Sequence, residues 1–133
     1  MTVNEWLQIT RQVEYYDKTT EHTYEAVRPR VICADGYNLS IQANRYCYCD
    51  PRINGAAYYH EVELGYPSME DSLINMYAED HDDYTDTVYG YVPVEIVDQL
   101  LEKHGGICIL PADAANAIKT QSIIEEKLIQ GVI

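Results

Sequence analysis

Between Ile53 and Glu102 the chain has no lysine and no arginine, yet it carries twelve carboxylates. The segment Met1–Arg52 has seven acids and six bases, and Lys103–Ile133 has three of each, so almost all of the formal charge of −13 sits in the middle. Such a field argues against direct binding to nucleic acid or to an anionic membrane, both of which repel it. Phenylalanine is also absent, and one tryptophan stands beside thirteen tyrosines. A tyrosine fills a core only if its hydroxyl reaches water or a partner. The composition therefore predicts a thin core with many half-buried rings. Tyrosine is enriched at protein interfaces as well, and composition leaves both uses open.

Long apolar runs are missing: none approaches the roughly eighteen residues of a membrane span. The start, MTVNEWLQIT, lacks the basic residues and apolar run of a signal peptide, so a cytoplasmic location is the expectation. In that compartment Cys33, Cys47, Cys49 and Cys108 are expected to be thiols. Cys47 and Cys49 fall on one face of an expected strand, and Cys33, Cys108, His60 or His104 could complete four zinc ligands, but the usual ligand spacing is missing and no second close pair exists, so no metal is expected. There is no glycine-rich phosphate loop, nucleophile elbow or HExxH helix. The expectation is a protein that is not an enzyme and needs no cofactor. His60 is read as a ring at the core edge and His104 as a cation at a helix C-terminus.

The length of 133 residues is that of one domain, expected to span 1–133. Thr2 and Glu5 have capping-box spacing, and Val3, Trp6, Leu7, Thr10 and Val13 share a helical face, which predicts a helix from Val3 to Tyr16. The polar run Asp17–Glu25 reads as a loop. Arg30–Ala34 and the alternating run Tyr37–Cys49 read as strands joined at Asp35-Gly36. Ala57–Tyr66 reads as a third strand, with Tyr58, His60, Val62 and Leu64 on one side and Tyr59, Glu61 and Glu63 on the other. A helix is predicted from Ser68, as N-cap with Asp71 completing the box, to Ala78. Thr87–Val92 reads as a strand, Pro93–His104 as a helix closed by Gly105-Gly106, Ile107–Leu110 as a strand, and Pro111–Gln130 as a last helix. The fold class is α+β: an antiparallel meander with helices on one face, plus N- and C-terminal helices.

At VICADGYNLSIQA, YCYCDPR and AEDHDDYTDTVYGYVPVEIVDQLLEKHGG the chain resembles a group of small proteins encoded in phages and prophages of Gram-positive bacteria. The resemblance runs from Arg30 to Gly106, and the terminal helices lie outside it. The group has no assigned activity, so the resemblance implies no site residues. It implies a genomic setting, that of phage accessory genes, many of which act on host machinery.

Three groups of acids carry the functional expectation. Glu79, Asp80, Asp82, Asp83 and Asp86 place five carboxylates in eight residues around Tyr84. Read as a calcium loop from Asp80, positions five, six and twelve are Tyr84, Thr85 and Tyr91, which fail the EF-hand requirements for an oxygen ligand, glycine and glutamate. Glu95, Asp98 and Glu102 form a row on the Pro93–His104 helix, opposite Ile96, Val97, Leu100, Leu101 and His104. Glu61 and Glu63, two apart on a strand, point the same way about 6.6 Å apart. On one surface these groups would resemble a phosphate backbone to a basic groove. The leading expectation is a host protein with a basic, nucleic-acid-binding surface as partner, inhibited by nucleic-acid mimicry in the manner of an anti-CRISPR. A homodimer is a further expectation. The alternative is a nucleotide-binding or sequestering protein in which Arg28, Arg30, Arg45 and Arg52 hold phosphate while Tyr46 or Tyr48 stacks on a base. Solvated surface acids without a partner are the plain alternative to both.

Overall fold

The computed structural model describes residues 1–11, 15–24 and 27–108. The first helix, α1, covers Val3–Ile9 and starts where the capping box places it: Thr2 Oγ1 accepts the Glu5 N–H, and Glu5 Oε1 accepts the Thr2 N–H. It ends seven residues short of the expected Tyr16. Thr10 Oγ1 bonds back to the Trp6 carbonyl at 2.7 Å, and the buried Arg28 guanidinium takes the Leu7 carbonyl through Nε and Nη2. Arg28 thus satisfies a terminal carbonyl from outside the helix, in place of the next turn. The chain then forms a hairpin, β1 (Tyr15–Asp17) with β2 (His22–Tyr24), where a helix end and a loop were expected.

The central sheet is a four-stranded antiparallel meander in chain order: β3 (Val31–Ile32), β4 (Asn38–Gln42), β5 (Glu61–Gly65) and β6 (Val88–Pro93). The Asp35-Gly36 turn joins β3 to β4, with Gly36 at φ +93° and the Asp35 carboxylate accepting the Tyr37 N–H. Alternation on β4 and β5 sends Leu39, Ile41, Val62 and Leu64 into the core. The third strand starts four residues later than expected, because the Asn4 side chain occupies both backbone groups of Tyr59, at 2.8 and 3.0 Å. The expected facing holds for Val62 and Leu64 and is inverted only at Tyr58–His60. Tyr59 is buried and its hydroxyl donates to the Ile53 carbonyl, while Tyr58 and His60 are exposed.

The expected helix Ser68–Ala78 is a single 3-10 turn, Asn75–Tyr77. Its two predicted capping side chains serve elsewhere: Ser68 Oγ accepts the Asn38 N–H from β4, and Asp71 binds α2. Helix α2 covers Val94–Lys103 and buries Val94, Val97, Leu100 and Leu101. Its end is closed by the Gly105 and Gly106 N–H groups bonding to the Glu102 and Leu101 carbonyls, both glycines at positive φ. Ile107 bridges to Cys33, extending the sheet beside β3. Residues 109–133, with the rest of that expected strand and the expected helix Pro111–Gln130, lie outside the described residues.

Val3, Trp6 and Leu7 from α1 and the buried face of α2 pack into one core with the inward residues of the sheet. The helices and the Leu73–Tyr77 segment thus cover one sheet face, as an α+β architecture requires. No described helix is long and apolar enough to cross a membrane.

Candidate functional site

The loop Glu79–Asp86 closes against the beginning of β6. Ala78 bridges to Tyr89, the Glu79 N–H donates to the Val88 carbonyl, and the Asp80 N–H donates to Thr87 Oγ1. Two of its acids shape its interior. Asp80 Oδ1 accepts the Asp82 N–H at 2.8 Å, and Asp83 Oδ1 accepts both the N–H and the hydroxyl of Thr85. These are turns that aspartate builds readily, since its short side chain reaches the backbone two residues on. The half-buried Tyr84 ring packs on the core, its carbonyl takes the Tyr89 hydroxyl, and its own hydroxyl meets His81 Nδ1 at 3.4 Å. The loop is therefore shaped by four side-chain contacts within it and two to Thr87 and Tyr89 beside it, while all five of its carboxylate residues are exposed.

The surrounding field is negative. Burial pushes the Tyr89 hydroxyl up to about 12, assisted by Tyr84 and by the charges of Glu70 and Asp83. Glu70 itself accepts a hydrogen bond from the Asn75 side-chain amide at 3.1 Å. Among the described residues, Glu70 and the five loop acids form no ion pair with lysine, arginine or histidine.

The other expected acids are placed elsewhere. Glu61 and Glu63 occupy the sheet face opposite Val62 and Leu64, away from the helices, and Glu63 Oε1 accepts the Tyr48 N–H at 3.1 Å. On α2, Glu95 and Glu102 face outward from the helix layer, but Asp98 turns inward and accepts the Val3 N–H at 2.8 Å, extending the cap of α1. The expected row is thus interrupted at its centre. A shallow groove of about 430 Å³ beside it is lined by Asp98, Leu101, Glu102 and the first two residues of the chain. Glu61 and Glu63 do not share a surface with the α2 acids, because the sheet and the helix layer lie between them.

The four arginines do not converge either. Arg28 is 3% exposed, and besides the Leu7 carbonyl it takes that of Ala43, so it ties α1 to β4 and cannot reach a ligand. Arg30 binds Asn38 and the Tyr66 carbonyl. Only Arg45 and Arg52 remain on the loop between β4 and β5, lying 5.2 and 5.4 Å over the rings of Tyr46 and Tyr48. The expected four-arginine phosphate site is not assembled, since Arg28 is buried in the core and Arg30 is held by Asn38 and Tyr66.

The tightest group of titratable side chains joins residues far apart in sequence. His104 Nδ1 meets Asp35 Oδ2 at 2.6 Å, His104 Nε2 meets Asp71 Oδ2 at 2.9 Å, and Lys103 Nζ lies 3.0 Å from the same Asp71 oxygen. The Tyr37 ring stacks on the imidazole with centroids 3.9 Å apart. Burial alone would disfavour the imidazolium, but the two carboxylates outweigh it and raise its pKa. Burial likewise opposes the Asp71 charge, yet the Leu73 N–H, His104 and Lys103 hold it below the usual carboxylate range. With both ring nitrogens donating, His104 has no lone pair to act as a base. The cluster is a clamp between α2, the β3–β4 turn and the segment before the 3-10 turn. Sequence reading assigned His104 and Asp71 separate local roles, and nothing local announces a pairing across 33 residues.

Cys33, Cys47 and Cys49 are buried, and burial raises their thiols, to about 11 for Cys33 and about 12 for Cys47. Cys108 is exposed. No group of three or more metal-ligating side chains is assembled among the described residues. The chain matches no protein-family model, no curated protein and no solved structure.

Proposed function

We propose that this protein binds a partner protein through the Glu79–Asp86 loop, which docks on a basic surface that the partner otherwise offers to nucleic acid. In this reading it is a phage-type accessory inhibitor acting on a host defence or regulatory protein in the host cytoplasm, as an anti-CRISPR does. The observation that carries the reading is the loop itself: five exposed carboxylates in eight residues, fixed by internal hydrogen bonds and left without a counterion. An ordered loop loses little conformational freedom on docking. Its uncompensated charge attracts a basic groove from a distance and speeds the encounter. Tyr84, held at the loop's centre, supplies aromatic contact area. The proposed contact set is smaller than the acid count suggests: the loop acids make it up, and Glu61, Glu63, Glu95, Asp98 and Glu102 fall outside it.

The test is capture from a Gram-positive host lysate by immobilised protein, compared with the variant Glu79→Lys, Asp82→Lys, Asp86→Lys. These three side chains take no part in the side-chain hydrogen bonds that shape the loop, so the variant reverses charge while keeping the turn. The expected result is a nucleic-acid-binding protein retained by the wild type at low salt and lost by the variant. Equal retention of that protein by both would overturn the proposal.

A further inference from the structure

The loop between β4 and β5 folds over the sheet face that the helices leave open. The Tyr48 N–H donates to Glu63 on β5, the Tyr91 N–H of β6 donates to the Tyr48 carbonyl, and Gly90 leaves room where a Cβ would lie 3.2 Å from that of Tyr48. The Tyr48 and Tyr91 rings sit 5.9 Å apart and remain 39% and 45% exposed. Beside them Arg52 lies over the Tyr48 ring and Glu61 and Glu63 stand on β5, while Arg45 stands earlier on the same loop over Tyr46. Among the described residues, Arg45 and Arg52 form no ion pair, in a chain with twenty-two acids and nine lysines and arginines. Glu61 and Glu63, on the same side, form none with them.

We propose that this face is a homodimer interface that binds a second copy of the chain about a two-fold axis. A two-fold contact presents the same patch twice, so a residue i that meets j is matched by j meeting i. A patch carrying both arginines and glutamates is complementary to itself in that arrangement. Arg45 and Arg52 of one copy face Glu61 and Glu63 of the other, and the tyrosines pack near the axis. Tyrosine and arginine are the side chains that most often dominate interface energetics. A separate acidic partner would meet the arginines but be repelled by the two glutamates, whereas a second copy answers both charges. The acids elsewhere repel a copy and confine docking to this face. The surface is distinct from the Glu79–Asp86 loop, and the inference does not rest on the function proposed above.

Sedimentation velocity at physiological salt, from low micromolar to several hundred micromolar protein, tests it. The wild type is expected to dimerise, and Arg45→Glu/Arg52→Glu and Tyr91→Ala to remain monomeric with unchanged circular dichroism. Mixing Arg45→Glu/Arg52→Glu with Glu61→Arg/Glu63→Arg is expected to restore a dimer that neither forms alone. The loop variant Glu79→Lys, Asp82→Lys, Asp86→Lys is expected to dimerise like the wild type. A wild type that stays monomeric at the highest concentration overturns the proposal, and so does a dimer that persists in both the arginine and the Tyr91 variants.

Discussion

Replacing His104 by alanine removes two hydrogen bonds and a ring stack from the junction of three segments. The bond to Asp71 matters most, because the Asp71 side chain is 3% exposed and the imidazole 10%. A hydrogen bond to a charged group in that setting contributes about 1.5–3 kcal/mol. Stacking on Tyr37 adds about 0.5–1 kcal/mol. The Asp35 side chain is 49% exposed, so solvent screens its share and it is left out. The loss should therefore be about 3 kcal/mol, or about 10 °C in Tm for a chain of this size. Urea unfolding with an unchanged m-value measures it. A cycle with Asp71→Asn should return a coupling of about 2 kcal/mol. The pH dependence gives an independent signature. His104 is raised, so its contribution is complete below its unfolded value of about 6.5 and is lost as pH climbs through the folded value. Asp71 and Asp35 are lowered, so theirs is present above about 4 and fades as pH falls through their folded values. Wild-type stability should form a plateau between those limits, and the alanine variant should lack the alkaline decline. A loss below about 0.5 kcal/mol, or no coupling to Asp71, would refute the clamp.

Other consequences are as direct. Arg28→Ala should cost about 2–4 kcal/mol in urea unfolding, since the Leu7 and Ala43 carbonyls lose a buried partner, and lysine should not restore both contacts. Gly105→Ala should be worse than Gly36→Ala in thermal melting. Both have positive φ, but a Cβ at Gly105 would lie 2.8 Å from the Ala34 Cβ, whereas Gly36 faces open space; the conformational cost alone is about 1 kcal/mol. A thiol reagent should label Cys108 first in the native protein and reach Cys33, Cys47 and Cys49 only on unfolding.

What could be read in advance followed from local physics. The Thr2–Glu5 box, the Asp35-Gly36 turn, the inward alternation of Leu39 and Ile41, and the apolar stripe and glycine end of α2 are set by neighbours within a few residues, and they appear where expected. The misses came where a distant side chain competes with the local pattern. Arg28 ends α1, Asn4 delays β5 and turns Tyr59 inward, and Ser68 and Asp71 leave their capping roles for β4 and α2. The candidate site was legible in the same measure. The acid count gave the sign of the field and the loop that concentrates it. Only the packing of sheet against helices could separate Glu61 and Glu63 from α2 and turn Asp98 toward α1.

The proposed function needs the Glu79–Asp86 loop to take the place of phosphates, and competition tests this most directly. The affinity of the captured partner for this protein should fall steeply as salt rises, as charge-driven association does. The partner's nucleic acid should be displaced stoichiometrically by the wild type and not by the Glu79→Lys, Asp82→Lys, Asp86→Lys variant. An affinity indifferent to salt, or a ternary complex holding nucleic acid and this protein together, would contradict it.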